Sequence, residues 1–234
     1  MFKKIVQHMK DVERAVNGMR ANAAFAFALA CTERQWPVFQ LTAGSVPWMV
    51  DWQSKLRHDL DAAWQHVLDD TSLSVAESIA PFQQLLISSG ASEPEVEDIG
   101  GPSSAVAHTI ANSIVDLLDA VERRDVGCAH RLSCRNFDLL ELLLDEHGVL
   151  LNNLKEGSDH DPSEIAAVRD LIEQELQQQN RDVQALGKDS SAAGIEEVRR
   201  TSVGKSLFGQ VRCPEAPQRA AHSSVSPQPG DPAP

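Results

Sequence analysis

Apolar residues in this chain recur in steps of three and four, with no alternating pattern. Such spacing collects side chains on one face of a helix, whereas alternation would line one face of a strand. Leu56, Leu60, Ala63, Trp64 and Val67 form one stripe. Ala107, Ile110, Ala111, Ile114, Leu118 and Val121 form a second, and Ile165, Val168, Ile172, Leu176, Val183 and Leu186 a third. Leu139, Leu140, Leu142, Leu143 and Leu144 cover so much of a helix that most of its sides should be buried. Aromatic residues make up 5% of the chain and Tyr is absent, so Leu and Ala carry the core. That bias suits helices better than sheets. The expectation is an all-α fold, an antiparallel helical bundle of about six or seven helices.

Breakers and caps set the boundaries. Lys3 to Val16 reads as a short amphipathic helix that Gly18 interrupts. A second helix from Arg20 to Gln35 should end or kink at Pro37. Ser45 stands before Val46-Pro47, the start of a helix to Asp69. Ser74 and Glu77 have capping-box spacing ahead of a helix to about Ile87. Residues 90–104 contain Pro94, Gly100, Gly101 and Pro102 with four acids, and read as a loop. Further helices are expected over Val106 to Arg124 and Cys128 to His147. Asp161, Pro162 and Glu164 look like the cap, first-turn proline and capping-box acid of a last long helix. Beyond Arg199 the composition turns to Gln, Pro, Ser and Ala. Residues 1–198 therefore read as one all-α domain and 199–234 as a disordered tail.

The formal net charge is -13, and residues 21–199 hold 12 basic against 30 acidic side chains. An acidic body argues against direct binding to nucleic acid, which needs Lys and Arg to displace counterions. It suits a basic protein partner, or solubility alone. Cys31, Cys128, Cys134 and Cys213 do not have the spacing of a disulfide framework, which fits reduced thiols in a cytoplasmic protein. Ala21 to Cys31, after Arg20, has the apolar look of an export signal. Asp11 and Glu13 upstream, the interruption by Asn22, and Leu29 placed two residues before Cys31 oppose that reading. No apolar run approaches the ~18 residues of a membrane helix, so no membrane association is expected.

Several residue groups invite a chemical reading. Arg57, His58, Asp59, Asp61, His66, Asp69 and Asp70 crowd one helix, and a His-Asp pair suits a metal-dependent phosphohydrolase. His58, Asp59, His66 and Asp69 are the metal-ligand candidates of that reading. His58 and Asp59 lie about 100° apart around a helix, however, beside the face opposite Leu56, Leu60 and Trp64, so a solvated face is the simpler expectation. Cys128, His130 and Cys134 offer soft ligands, but only His130 and Cys134 share a helix face, and buried thiols behave as small hydrophobes. Val203-Gly204-Lys205-Ser206 ends like a phosphate loop, yet Arg199 stands where the first glycine is required and no strand precedes it. There is no Glu-x-x-His, HExxH, GxSxG or Rossmann glycine string. Trp48 and Trp52, four apart at a helix start, could anchor a partner or pack inward.

The string FAFALACTERQWP at residues 25–37, with DWQSKLRHDLDAAWQHVLDD at 51–70, resembles the YjaG-like bacterial family, all-helical proteins of unknown function. The resemblance extends over Asp61 and Trp64, Ala111 to Leu118, Asp161 to Glu175, and Ala193-Gly194. It covers roughly residues 20–195. The chain departs from it in a longer first helix, the Gly-Gly-Pro loop and the added tail. The resemblance implies a helical, bacterial, cytoplasmic protein. It carries no catalytic residues to transfer, and it marks Glu33 and Arg34 as a polar pair, expected to be matched in the core.

These readings favour a non-catalytic protein-interaction module, immunity- or antitoxin-like, that masks a basic partner through Trp48 and Trp52. No catalytic residue and no cofactor is expected. The competing expectations are a metal-dependent hydrolase of a phosphorylated small molecule, using the cluster from His58 to Asp70, and a homo-oligomeric structural or regulatory role.

Overall fold

A computed structural model describes residues 2–88, 102–145 and 162–203. Every regular element among them is helical: α1 (Phe2–Asn17), α2 (Ala21–Thr42), a 3-10 turn (Ala43–Ser45), α3 (Pro47–Val50), α4 (Gln53–Asp69), α5 (Ala76–Ser88), α6 (Pro102–Arg123), α7 (Gly127–Asp145), α8 (Pro162–Lys188) and α9 (Ala192–Ser202). The expected all-α bundle is what forms. The count rises to nine α-helices among the described residues because two expected helices are each divided.

The segment from Pro47 to Asp69 breaks at Asp51 and Trp52 into α3 and α4. The last helix stops at Lys188 and restarts at Ala192. The restart needs glycine. A Cβ on Gly194 would lie 2.1 Å from the Asp189 carbonyl oxygen, because the turn folds back against the first turn of α9. Asp189 also accepts the Ser191 amide at 2.9 Å. Helix α9 runs to Ser202, four residues past the boundary expected at 198. The remainder of the expected tail and residues 90–101 of the expected loop lie outside the described residues, while Pro102, Ser103 and Ser104, expected in that loop, instead open α6, where proline is tolerated at the first turn.

The bundle is organised around α2, which is buried from Ala23 through Trp36 without interruption. A helix apolar on all sides has no solvent face, and here α4, α6, α7, α8 and α9 surround it. The alanines let those neighbours approach closely. The stretch that looked like an export signal is thus the axis of the core. Pro37 does not end α2, which continues to Thr42. Pro37 cannot donate to the Glu33 carbonyl, but packing of Val38 and Phe39 on the core keeps the backbone helical. Gly18 does stop α1 as expected, with its amide donating to Ala15 at 3.1 Å.

Helix ends are secured by side chains from elsewhere in the bundle. At the start of α5, the amides of Val75, just before the helix, and Ala76, its first residue, donate to Glu122 of α6 at 3.4 and 2.9 Å. The α4 and α6 ends each carry a left-handed residue, Asp70 and Arg124, and these two side chains pair at 2.6 Å. Helices α6 and α7 are joined by three residues and form a hairpin, closed across its length by Arg135 and Asp116 at 2.5 Å. Leu139 and Leu140 of α7 are buried and Leu142 partly so. No described helix is long and apolar enough to cross a membrane.

Candidate functional site

The strongest concentration of polar chemistry lies inside the core. Three consecutive residues of α2, Glu33, Arg34 and Gln35, are each buried to within 2% of complete. Successive helix positions point about 100° apart, so each reaches a different neighbour. The expected pairing of Glu33 with Arg34 therefore does not occur.

Arg34 reaches α8. Its Nε and Nη2 donate to the two oxygens of Glu175 at 3.2 and 3.0 Å, and its Nη1 donates to Asp182 Oδ2 at 2.8 Å. Nη2 also lies 3.3 Å from Cys31 Sγ. Glu175 accepts two further bonds, from Asn136 Nδ2 of α7 and from Gln179 Nε2, both at 2.7 Å. Gln179 donates to the Ser133 carbonyl at 3.1 Å, and its own oxygen faces His8 Nε2 of α1 at 2.9 Å. Gln35 donates to Asn136. Four helices thus meet on one hydrogen-bonded network around a single guanidinium. Burial opposes the charge on Arg34, but the Glu175 and Asp182 carboxylates more than offset this and raise its pKa. Burial pushes Cys31 far above the ordinary thiol range, so it stands here as a neutral thiol.

Glu33 reaches α4 on the other side. Arg57 grips it with both terminal nitrogens, at 2.8 and 2.7 Å, and Trp64 Nε1 donates to it at 2.9 Å. Arg57 also holds Asp61 at 2.8 Å and covers the Trp36 ring. Arg199 of α9 stacks over Trp64, 6.0 Å from the ring centre. Burial opposes the Arg57 charge as well, and hydrogen bonding to Glu33 and Asp61 overcomes it.

The metal-ligand candidates of α4 disperse. His58 and Asp69 are exposed. Asp59 and His66 are buried instead of sharing the solvated face their positions suggested. Asp59 accepts from the Ser78 hydroxyl of α5 at 2.7 Å, and His66 Nδ1 faces the Thr71 carbonyl. Each secures a neighbouring segment. Among the described residues, no three His, Cys, Asp or Glu side chains are grouped to hold a metal ion.

His130 and Cys134 do share a face of α7, with 3.6 Å between Nε2 and Sγ, and Cys128 points into the core. Burial drives both thiols up, Cys134 to about 11 and Cys128 to about 12, so neither is a ready nucleophile or metal ligand.

Trp48 and Trp52 converge. Both rings pack on the buried Phe82 of α5, at 5.5 and 5.0 Å between centroids, and Lys55 lies over the Trp52 ring. Each remains partly exposed. The large apolar side chains left exposed on α2, α3 and α5 are Leu41 (67%), Val50 (48%), Leu85 (36%) and Ile87 (67%). All four belong to the end of α2, to α3 and to α5, the elements that assemble this ring cluster or lead into it.

Sequence reasoning missed Glu175, Asp182, Asn136 and Gln179. A signal for the α8 members exists. The apolar stripe of α8 steps from Leu176 directly to Val183, and Gln179 fills the missing inward position. Glu175 and Asp182 flank it at helical spacing. No protein-family model, curated protein or solved structure matches the chain.

Proposed function

We propose that this chain is a non-catalytic protein-interaction module that engages a partner through the surface around Trp48 and Trp52. The observation that carries the reading is the pair of part-exposed tryptophans seated on Phe82, with further large apolar side chains left exposed on α2 (Leu41), α3 (Val50) and α5 (Leu85 and Ile87). Half-buried tryptophans fixed from behind by Phe82 have the make-up of binding hot spots. The convergent polar groups elsewhere are occupied with one another in the core, which leaves them structural work rather than chemistry on a substrate.

Charge refines the partner. The described residues hold 24 acidic against 17 basic side chains, and the two connecting segments 89–101 and 146–161 hold eight acidic against one basic. A basic protein, approached under electrostatic attraction, suits this distribution, in the manner of an immunity or antitoxin protein in a bacterial cytoplasm. The YjaG-like resemblance belongs to the same proposal. No observation favours the hydrolase alternative, since His58, Asp59, His66 and Asp69 face separate surroundings.

The test is affinity purification of the tagged, natively expressed protein, with bound proteins and metals quantified. A single stoichiometric partner, weakened by salt and lost in a Trp48→Ala/Trp52→Ala variant that melts like wild type, is the expected result. A partner retained by that variant would displace the surface. No partner at any salt concentration, with stoichiometric metal retained, would overturn the reading in favour of the hydrolase.

A further inference from the structure

The Arg34 network contains one buried cation and two buried carboxylates. Glu175 and Asp182 share the guanidinium unequally. Glu175 receives four donated bonds, two from Arg34 and one each from Asn136 and Gln179. Asp182 receives two, one from Arg34 Nη1 at 2.8 Å and one from the neutral Gln178 amide at 2.7 Å. Its side chain is 3% exposed. One guanidinium can neutralise one carboxylate, so with both ionised the core retains an unmatched negative charge between α2 and α8. Isolated buried charge is among the least favourable features a fold can hold.

We propose that Asp182 is a proton-loaded clamp, taking up a proton on mild acidification and thereby tightening α8 against α2. The proton has a place to go. Protonated on Oδ1, Asp182 needs an acceptor, and turning the half-buried Gln178 amide over presents its Oε1 at that position. Arg34 then faces Glu175 one to one, with Nη1 still donating to Asp182 Oδ2. Gln178 is partly open to solvent, so a proton reaches the site from the surface, and turning its amide over gives up the bond that its oxygen accepts from the exposed Arg181 at 2.9 Å.

The surroundings name the other groups that act on this site. From α2 these are Arg34 and Cys31, and from α8 Glu175. From α7 come Asn136 and Ser133, which do not titrate. From α1, His8 is held one hydrogen bond away on Gln179. Arg199 of α9 is directed to Asp61 and Trp64. Burial lifts the Asp182 carboxyl above its ordinary range, with Arg34 and Gln178 opposing it. A raised folded-state pKa means the folded chain binds more protons than the unfolded chain between the two values. Stability therefore falls as pH rises through that window, the reverse of ordinary acid denaturation.

The test is thermal unfolding of wild type and Asp182→Asn between pH 4.5 and 8. The amide keeps an acceptor for Arg34 and removes the titration. Wild type should gain more on acidification than the variant, read as a larger rise in Tm between pH 8 and pH 4.5. General relief of the -13 net charge acts on both proteins and cancels in the comparison. Equal pH slopes would overturn the proposal. Should the variant not fold, carboxyl-carbon NMR of wild type decides: an Asp182 midpoint above the ordinary Asp range supports the clamp, and one within or below it sinks it.

Discussion

Replacing Arg34 with Met tests whether the bundle depends on its buried charge network. The substitution keeps an unbranched apolar stem but removes three donated bonds to carboxylates, at 3.2, 3.0 and 2.8 Å. Glu175 and Asp182 remain buried, Glu175 with two amide donors and Asp182 with one. Breaking a buried ion pair from one side costs ~3–5 kcal/mol, because the orphaned charge stays out of water. Domains are stable by ~5–15 kcal/mol in total, so Arg34→Met removes a large share. With a urea dependence of about 2 kcal/mol per molar, the midpoint should fall by about 2 M. The triple variant Arg34→Met/Glu175→Gln/Asp182→Asn should recover at least half of that loss, since no charge is left unmatched. Urea unfolding followed by circular dichroism measures both. A fall of less than about 0.5 M for Arg34→Met would refute the claim that this network is integral to the fold. A triple variant no better than the single one would show that lost packing, rather than stranded charge, causes the damage.

Gly194→Ala should destabilise by at least ~2 kcal/mol in the same assay, because its Cβ would collide with the Asp189 backbone and the α8–α9 turn must open. Trp64→Phe leaves Glu33 without the indole donor at 2.9 Å and should cost ~1–2 kcal/mol, with Arg57 retaining the carboxylate. In a Cys213→Ser background, Cys31, Cys128 and Cys134 should react with a thiol reagent at pH 8 at least tenfold more slowly in the native protein than in urea, because burial holds all three as thiols. Rapid native labelling of Cys31 would contradict its place in the core.

The helical class was legible because it rests on spacing, and spacing is local. Leu56, Leu60, Ala63, Trp64 and Val67 all became buried as their stripe required. What misled were residues whose local meaning is reversed by tertiary contact. Pro37 disfavours a helix, yet α2 continues because Val38 and Phe39 are already committed to the core. Asp59 and His66 lie beside an apolar stripe on a helix that looks amphipathic. They are nonetheless buried, because α5 and the segment after α4 close over that edge.

The central network shows why a polar site of this kind eludes a reading by motif. Motif searches look for clustered residues at fixed spacing, whereas Arg34 and Asp182 are 148 positions apart. Their encounter was nevertheless constrained by the sequence in one respect. A helix buried on all sides has no solvent face for Glu33, Arg34 and Gln35, so each must find its partner on another helix or leave a buried charge unpaired. Any neighbour packed against that turn of α2 must carry complementary polar groups at its own inward positions. Only a helix whose apolar stripe is interrupted can do so without losing its grip on the core. Helix α8, with Gln179 filling a gap between Leu176 and Val183 and Glu175 and Asp182 beside it, meets that condition. The buried polar pairing therefore fixes which helix packs at that position and in which register, a specificity that apolar contacts between leucines and alanines would not impose alone.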